Sequence, residues 1–259
     1  MRIVTHTCSN TEIVCALGRA DWLVGVDDHS DYPPEVVRAV PRIGPDLDVD
    51  VDRVQALKPD LVITSLTVPG HERCLTRLQN AGLPCLVTEP QTLADVIEDI
   101  RRIGHVLGAD QAAARLIARF EQRLDEQRLS FQATAHHPVP VLIEWWPKPV
   151  IVPGRKSWVN EMLELAGGIN PFAEVDQESL EVNTDRVIAA QPEAIVMSWC
   201  GVSEDKYRPH IVTRRAGWAE LPAIRAGRVV PISEAWLGRP GPRLIQGIEK
   251  LAEVVKNCL

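Results

Sequence analysis

One stretch of this chain occurs twice, and the repetition limits what the chain can become. Asp52-Arg53-Val54-Gln55-Ala56-Leu57-Lys58-Pro59-Asp60-Leu61-Val62-Ile63-Thr64-Ser65 returns as Asp185-Arg186-Val187-Ile188-Ala189-Ala190-Gln191-Pro192-Glu193-Ala194-Ile195-Val196-Met197-Ser198. The Asp, Arg, Val, Ala, Pro, acid and Ser positions fall at identical offsets. A second echo follows each copy: Gly82 to Glu89 ends in Val87-Thr88-Glu89, and Gly227 to Glu234 ends in Ile232-Ser233-Glu234. A looser echo precedes each copy, in Asn10-Thr11-Glu12-Ile13 and Asn160-Glu161-Met162-Leu163. Echoes that keep the same order in both halves predict two lobes of like topology.

The stretch between the copies reads as helix. Leu93, Val96, Ile97, Ile100, Ile103, Val106 and Leu107 recur at helical spacing. After Gly108 the pattern resumes at Ala113, Leu116, Ile117, Phe120 and Leu124. Gly108 is the predicted stop of one helix and start of the next. The second helix, at ~1.5 Å per residue, is about 30 Å long. The expected organisation is an N-terminal α/β lobe over 1–108, a connecting helix over 109–131 and a C-terminal α/β lobe over 132–259.

Within each lobe, short apolar runs alternate with helical patterns, which predicts parallel sheets. Arg2–Thr5, Leu23–Val26, Asp60–Thr64 and Cys85–Thr88 read as strands of the first lobe, with a helix from about Thr11 to Leu17. Val139–Ile143, Ala194–Met197 and Val229–Ile232 read as strands of the second. Ligands of such sheets sit beyond the carboxyl ends of strands. Those ends carry residues 6–10, 27–32, 65–66, 144–148, 198–200 and 234–236, and facing lobes would set them across one cleft.

Charge narrows the partners. The net charge of -7, with acids and bases interspersed, argues against nucleic acid and anionic membranes as general partners. No apolar run approaches the ~18 residues of a membrane span. Met1-Arg2-Ile3-Val4 leads straight into a strand-like run with no leader pattern, so the expectation divides between a leader removed and a cytoplasmic protein. The six cysteines form no CxxC and no dense framework. No P-loop, GxSxG or HExxH occurs.

Ser9-Asn10-Thr11-Glu12-Ile13, Leu17-Gly18, Val24-Gly25-Val26 and Asp31-Tyr32-Pro33-Pro34 resemble the opening of helical-backbone substrate-binding proteins of ABC importers, most closely the cobalamin-binding branch. Lys58-Pro59-Asp60-Leu61-Val62, the run from Glu161 to Asn170, and Arg239-Pro240-Gly241-Pro242-Arg243-Leu244 match the same branch. The resemblance covers essentially the whole chain. It implies two Rossmann-like lobes joined by one long backbone helix, a cleft for a metal chelate between them, no catalysis and no catalytic cofactor. It also implies an extracytoplasmic location, a membrane permease as partner, and a monomer. Family members carry a carboxylate on the outer tip of each lobe that meets permease arginines, and the matching positions are Asp52 and Asp185. The bland alternative is that each Asp caps the helix it begins.

The chain departs from that branch in its aromatics. Tyr32 is retained, whereas Ser65 and the region of Ser179 are not aromatic. Trp145, Trp146, Trp199 and Trp236 stand at strand ends instead, and adjacent Trp145 and Trp146 should point opposite ways. The expected ligand-binding set is Cys8, Ser9, Asp28, His29, Tyr32, Ser65, Trp145, Trp146, Trp199, Cys200, Trp236 and Arg239. Arg155, Lys156 and Arg243 are further candidates for an anionic chelate. Cobalamin or another corrinoid is the first expected ligand, with a ferric siderophore or haem as the alternative. A reading of another class is a cytoplasmic metal- or cofactor-handling protein or enzyme that uses Cys8 and Cys200, since thiolates with His6 or His29 suit a transition metal. The alternative for both cysteines is a small buried thiol. His136-His137 reads as solvated linker.

Overall fold

The computed structural model describes residues 1–132 and 137–259, which form two compact units. Unit 1 comprises Met1–Pro90 and Ala94–Arg119; unit 2 comprises Gln91–Leu93 and Phe120–Leu259. His136 lies outside the described residues, and His137 is exposed.

Unit 1 contains strands β1 (Ile3–Thr5), β2 (Leu23–Val26), β3 (Leu61–Ser65) and β4 (Cys85–Thr88). Its helices are α1 (Cys8–Ala16), α2 (Pro34–Val37), α3 (Val51–Ala56), α4 (His71–Asn80), α5 (Leu93–Val106) and the first part of α6 (Asp110–Gln132). The strands form one parallel sheet in the order β2-β1-β3-β4. Val4 and Val62 are fully buried in its core beside Ile43, Val54 and Leu78.

Unit 2 contains β5 (Val139–Glu144), β6 (Trp146–Pro147), β7 (Val150–Pro153), β8 (Gly168–Ile169), β9 (Ser179–Glu181), β10 (Ala194–Met197) and β11 (Val229–Pro231). Its helices are α7 (Val159–Leu165), α8 (Thr184–Ala190), α9 (Pro209–Thr213), α10 (Pro222–Arg225), α11 (Glu234–Leu237) and α12 (Leu244–Lys256). The parallel sheet β8-β5-β10-β11 has the connectivity of β2-β1-β3-β4, strand for strand. A small antiparallel sheet, β6-β7-β9, is added to it.

The repeated segment accounts for this likeness. Each copy folds as a short helix and a strand, α3 into β3 and α8 into β10. Lys58 (φ 47°) and Gln191 (φ 44°) occupy the same repeat position, and both are left-handed without being glycine. Each precedes a proline, which disfavours the right-handed helical region for the residue before it. That conformation ends the helix and costs roughly 1–2 kcal/mol for an L-residue. Two copies that keep a cost of this kind keep the same turn.

The predicted break at Gly108 is a Schellman motif. Gly108 (φ 55°) donates to His105 O at 3.1 Å, and Ala109 donates to Gly104 O at 2.7 Å. A Cβ on Gly104 would lie 2.5 Å from that of Ala113, so this glycine lets α6 approach α5 closely. The division between the units falls inside α6, after Arg119. Farther along it, Arg123 pairs with Glu249 of α12.

Two expectations need correction. Helix α1 begins at Cys8, not near Thr11, because extended Thr7 starts it and Thr11 N–H already bonds to Thr7 O at 3.1 Å. Cys8 and Ser9 are therefore first-turn residues of a helix. The β6-β7-β9 sheet is the second difference: residues 144–148 are expected only as the end of a strand, whereas Trp146–Pro147 pairs with Val150–Ile151 and Ile151–Pro153 with Ser179–Glu181.

Candidate functional site

In unit 1 the carboxyl ends of β1, β2 and β3 converge on a buried polar cluster. Thr5 Oγ1 lies 2.7 Å from Thr11 Oγ1, and Thr11 Oγ1 lies 2.8 Å from Ser30 Oγ. Ser30 donates in turn to Asp27 Oδ1. Asp27 Oδ2 accepts the His29 backbone N–H at 3.0 Å and faces Cys8 Sγ at 3.7 Å. Burial pushes the Asp27 carboxyl up to about 6, against the hydrogen bonds from Ser30 and His29. Asp27 is therefore the post on which the loop after β2 is wound.

Beside it, His6 Nδ1 lies 2.7 Å from Thr64 Oγ1, and the His6 ring meets His71 edge-on with centroids 5.5 Å apart. Burial, with the charge of His71, lowers His6 to about 4; the Asp46 backbone and carboxylate oppose this. Asp46 stands between two imidazoles, 3.3 Å from His71 Nε2 and 3.7 Å from His29 Nε2. Burial alone would raise the Asp46 carboxyl. The His71 hydrogen bond and the charges of His71, His29 and His6 outweigh it, so the group lies below its ordinary value. Among the described residues, no cluster of three or more His, Cys, Asp or Glu is placed to hold a metal ion.

Unit 2 presents a different chemistry. Glu144, the last residue of β5, is fully buried and is gripped by Arg215. Arg215 Nη1 donates to Glu144 Oε2 at 2.6 Å, and Nη2 donates to Glu144 Oε1 at 3.2 Å and to Pro147 O at 3.1 Å. The same carboxylate accepts Trp199 Nε1–H at 3.0 Å. Tyr207 donates to Trp199 O at 3.2 Å and accepts the Glu234 N–H at 3.3 Å, which ties the start of α11 to the loop after β10. Burial pushes the Tyr207 phenol well above its ordinary value. Arg239 reaches Glu234 Oε2 at 3.4 Å.

The expected ligand residues are placed unequally. Tyr32 (44% exposed) and Trp146 (40%) stand at the surface, with Asp28 and Cys200 also exposed and His29 and Trp236 half-buried. Trp145 (8%) and Trp199 (4%) turn into the interior, as do Ser9, Ser65 and Arg239. Ser65 Oγ lies 2.9 Å from Thr67 Oγ1. Cys8 is half-buried against Asp27. Arg155 and Lys156 both face Asp176, at 2.7 and 3.5 Å.

Asp52 and Asp185 do not cap their helices. The caps are Asp50, which accepts Arg53 N–H at 3.0 Å, and Asn183, which accepts Arg186 N–H at 3.0 Å. Asp52 and Asp185 each follow by two positions, in the first turn, and both are exposed. The sequence reading missed Asp46, His71, Arg215 and Tyr207. Asp46 meets His71 across 25 residues and Arg215 meets Glu144 across 71, and no local pattern marks them.

A family model described as periplasmic binding protein matches residues 3–235. The chain is 33% identical to the ABC transporter substrate-binding lipoprotein YvrC of Bacillus subtilis, over 98% of this chain and 79% of that protein. It is 28% identical to the vitamin B12-binding protein of Vibrio cholerae, over 98% and 89%. Among solved structures, the periplasmic haem-binding protein RhuT from Roseiflexus sp. RS-1 superposes with a TM-score of 0.86 at 30% identity, covering 100% of this chain and 99% of that one.

Proposed function

The chain belongs to the periplasmic binding protein family, the substrate-binding proteins of ABC importers, and we propose that its substrate is a corrinoid, cobalamin or a close relative. The ligand is met by strand-end surfaces and passed to a membrane permease outside the cytoplasm. Asp52 and Asp185 are the carboxylates that meet basic groups of that permease.

The observation that carries the corrinoid reading is the state of the cationic side chains. In unit 2, Arg215 is held by Glu144, Arg239 by Glu234, and Arg155 and Lys156 by Asp176. In unit 1, the loop after β2 carries Asp27, Asp28 and Asp31, and no Lys or Arg from residue 27 to residue 32. The cations Arg215 and Arg239 are thereby spent on this chain's own carboxylates, which suits a flat ligand edged with neutral amides; exposed Lys148, beside Trp146, is the cation a carboxylate-edged ligand would have to use to offset its desolvation. Similarity to the Vibrio cholerae vitamin B12-binding protein along the whole chain points the same way.

Haem is the second reading, favoured by the likeness to the haem-binding protein RhuT. Titration of the purified protein with cyanocobalamin and with haemin, followed by calorimetry and tryptophan quenching, separates the two. The corrinoid is expected to bind with a micromolar or tighter Kd. Stoichiometric haemin binding with no response to cyanocobalamin or cobinamide overturns the corrinoid reading.

A further inference from the structure

Trp146 is the outward member of a pair whose other member, Trp145, is buried. Its indole N–H is already used, donating to Lys148 O at 3.2 Å, so what it offers outward is ring rather than hydrogen bond. A tryptophan left in water at the carboxyl end of a strand suits a flat partner. For such a platform to bind well, the backbone beneath it must be fixed beforehand.

The backbone beneath it is weakly held by its own ladder. Strand β6 is two residues long and, among the described residues, pairs only with β7, Trp146 opposite Ile151 and Pro147 opposite Val150. Pro147 has no N–H to give. Its carbonyl is taken by a side chain from far along the chain, Arg215 Nη2 at 3.1 Å. The guanidinium is held on every side: by the Glu144 carboxylate, by Pro147 O, and by the Trp218 ring, whose centroid is 4.1 Å from Cζ. Trp145 N–H to Ile151 O at 2.8 Å and Cys200 N–H to Trp145 O at 3.0 Å complete the attachment.

Stability does not explain this pair well. A fully buried carboxylate with a nearly buried guanidinium pays a desolvation cost that its attraction need not exceed, and apolar replacements of such pairs are often no less stable. What an apolar pair would lack is the fork: two parallel bonds to one carboxylate and a third to a carbonyl. The fork fixes the end of β5, the start of the β6-β7 hairpin and, through Glu144, the Trp199 indole.

We propose that Arg215 is a positioning residue for ligand binding: with Glu144 as its anchor, it locks the β6-β7 hairpin so that Trp146 stands as a preorganised stacking platform. The proposal rests on the reading of the chain as a binding protein for a flat chelate. Arg215 touches no ligand itself.

The test is a double-mutant cycle read by calorimetry with cyanocobalamin, and with haemin in parallel. Trp146→Ala and Arg215→Gln should each weaken binding of whichever probe the wild type takes by about tenfold or more. Arg215→Gln on the Trp146→Ala background should add less than about twofold, since the positioned group is gone. Arg215→Lys keeps the charge without the fork and should recover little of the loss. Equal, additive losses on both backgrounds, or an Arg215→Gln protein with wild-type affinity, overturn the proposal. If Arg215→Gln fails to fold, Glu144→Gln, which keeps the shape of the anchor and removes its charge, takes its place in the cycle with the same expectations. If the wild type binds neither probe, the functional reading fails. The positioning is then read alone from the emission of Trp146, taken as the difference between each protein and its Trp146→Phe partner. Greater acrylamide quenching of that difference in Arg215→Gln supports positioning, and an unchanged difference overturns it.

Discussion

Asp50 accepts a hydrogen bond from the backbone N–H of Arg53 at 3.0 Å, which closes the first turn of α3. Asn183 does the same for Arg186 at the same distance in α8. The capping duty of each repeat copy is thus discharged two residues before Asp52 and Asp185, which leaves those carboxylates a favourable place at a helix start. Asp50→Ala should therefore cost about 1 kcal/mol in urea unfolding. Asp52→Ala combined with Asp185→Ala should change stability by no more than about 0.5 kcal/mol. The double variant should keep its ligand affinity and lose uptake in cells that depend on this importer, with the docking interaction weakened by salt. Normal uptake by that variant would remove permease docking from the role of these residues.

His6 sets a pH dependence. In the unfolded chain its imidazole takes a proton near 6.5, whereas in the fold, buried against His71, Thr64 and Asp46, it does so only near 4. Between those values the unfolded chain binds more protons, so stability falls as pH drops through the window, by at most about 3 kcal/mol. Asp27 acts in the opposite sense: its folded value, near 6, lies above its unfolded 3.8, so acidification through that range favours the fold. The two partly cancel in the wild type. His6→Gln removes one of them, and its stability deficit relative to wild type should be largest at pH 7 and shrink at pH 5. Parallel pH profiles for the two proteins would contradict the burial of a neutral His6.

Gly247 is where α12 passes the carbonyl of Trp236. A Cβ there would lie 2.0 Å from Trp236 O and 2.8 Å from Leu237 and Met162 side-chain carbons. Backbone cannot yield as a side-chain tip can, so Gly247→Ala should cost about 1–3 kcal/mol despite the better helix propensity of alanine. Thermal melting measures it. At Gly82, where φ is 73° and nothing lies within 4 Å, alanine meets only the left-handed backbone cost. A Gly247→Ala protein no less stable than Gly82→Ala would place α12 farther from Trp236.

The repeat was legible because a helix, a turn and a strand are written in consecutive residues: Asp52 to Ser65 and Asp185 to Ser198 carry their own helix starts, left-handed pre-proline turns and buried valines. Gly108 was legible for the same reason. The interior of each strand-end surface was not. Glu144 and Arg215 lie 71 residues apart, and nothing near either announces the other. Asp46 meets His71 from a loop with no periodicity. The burial of Trp199 was hidden for a subtler reason. A position just after a strand is predicted at the surface, but Trp199 is covered by a later stretch of the chain, with Tyr207 against its ring at 5.3 Å and Val212 in the same core.

That difference separates two substitutions that the sequence alone would treat alike. Trp199 is 4% exposed, its N–H spent on Glu144 and its ring in the core. Trp199→Ala removes a large buried ring and leaves Glu144 short of a donor, so it should cost about 3–5 kcal/mol of stability. Any loss of affinity it shows should follow from that disruption. Trp146 is 40% exposed, so Trp146→Ala should leave the unfolding free energy within about 0.5 kcal/mol of wild type. Its effect should fall on binding: each stacked aromatic contributes about 1 kcal/mol beyond area burial, and with the buried area the loss should reach about tenfold or more in Kd. Unfolding curves and cyanocobalamin titrations on the two variants make the comparison. If Trp146→Ala binds as wild type while a stable Trp199→Ala does not, the ligand reaches the inner tryptophan, and the outward platform is not where it stacks.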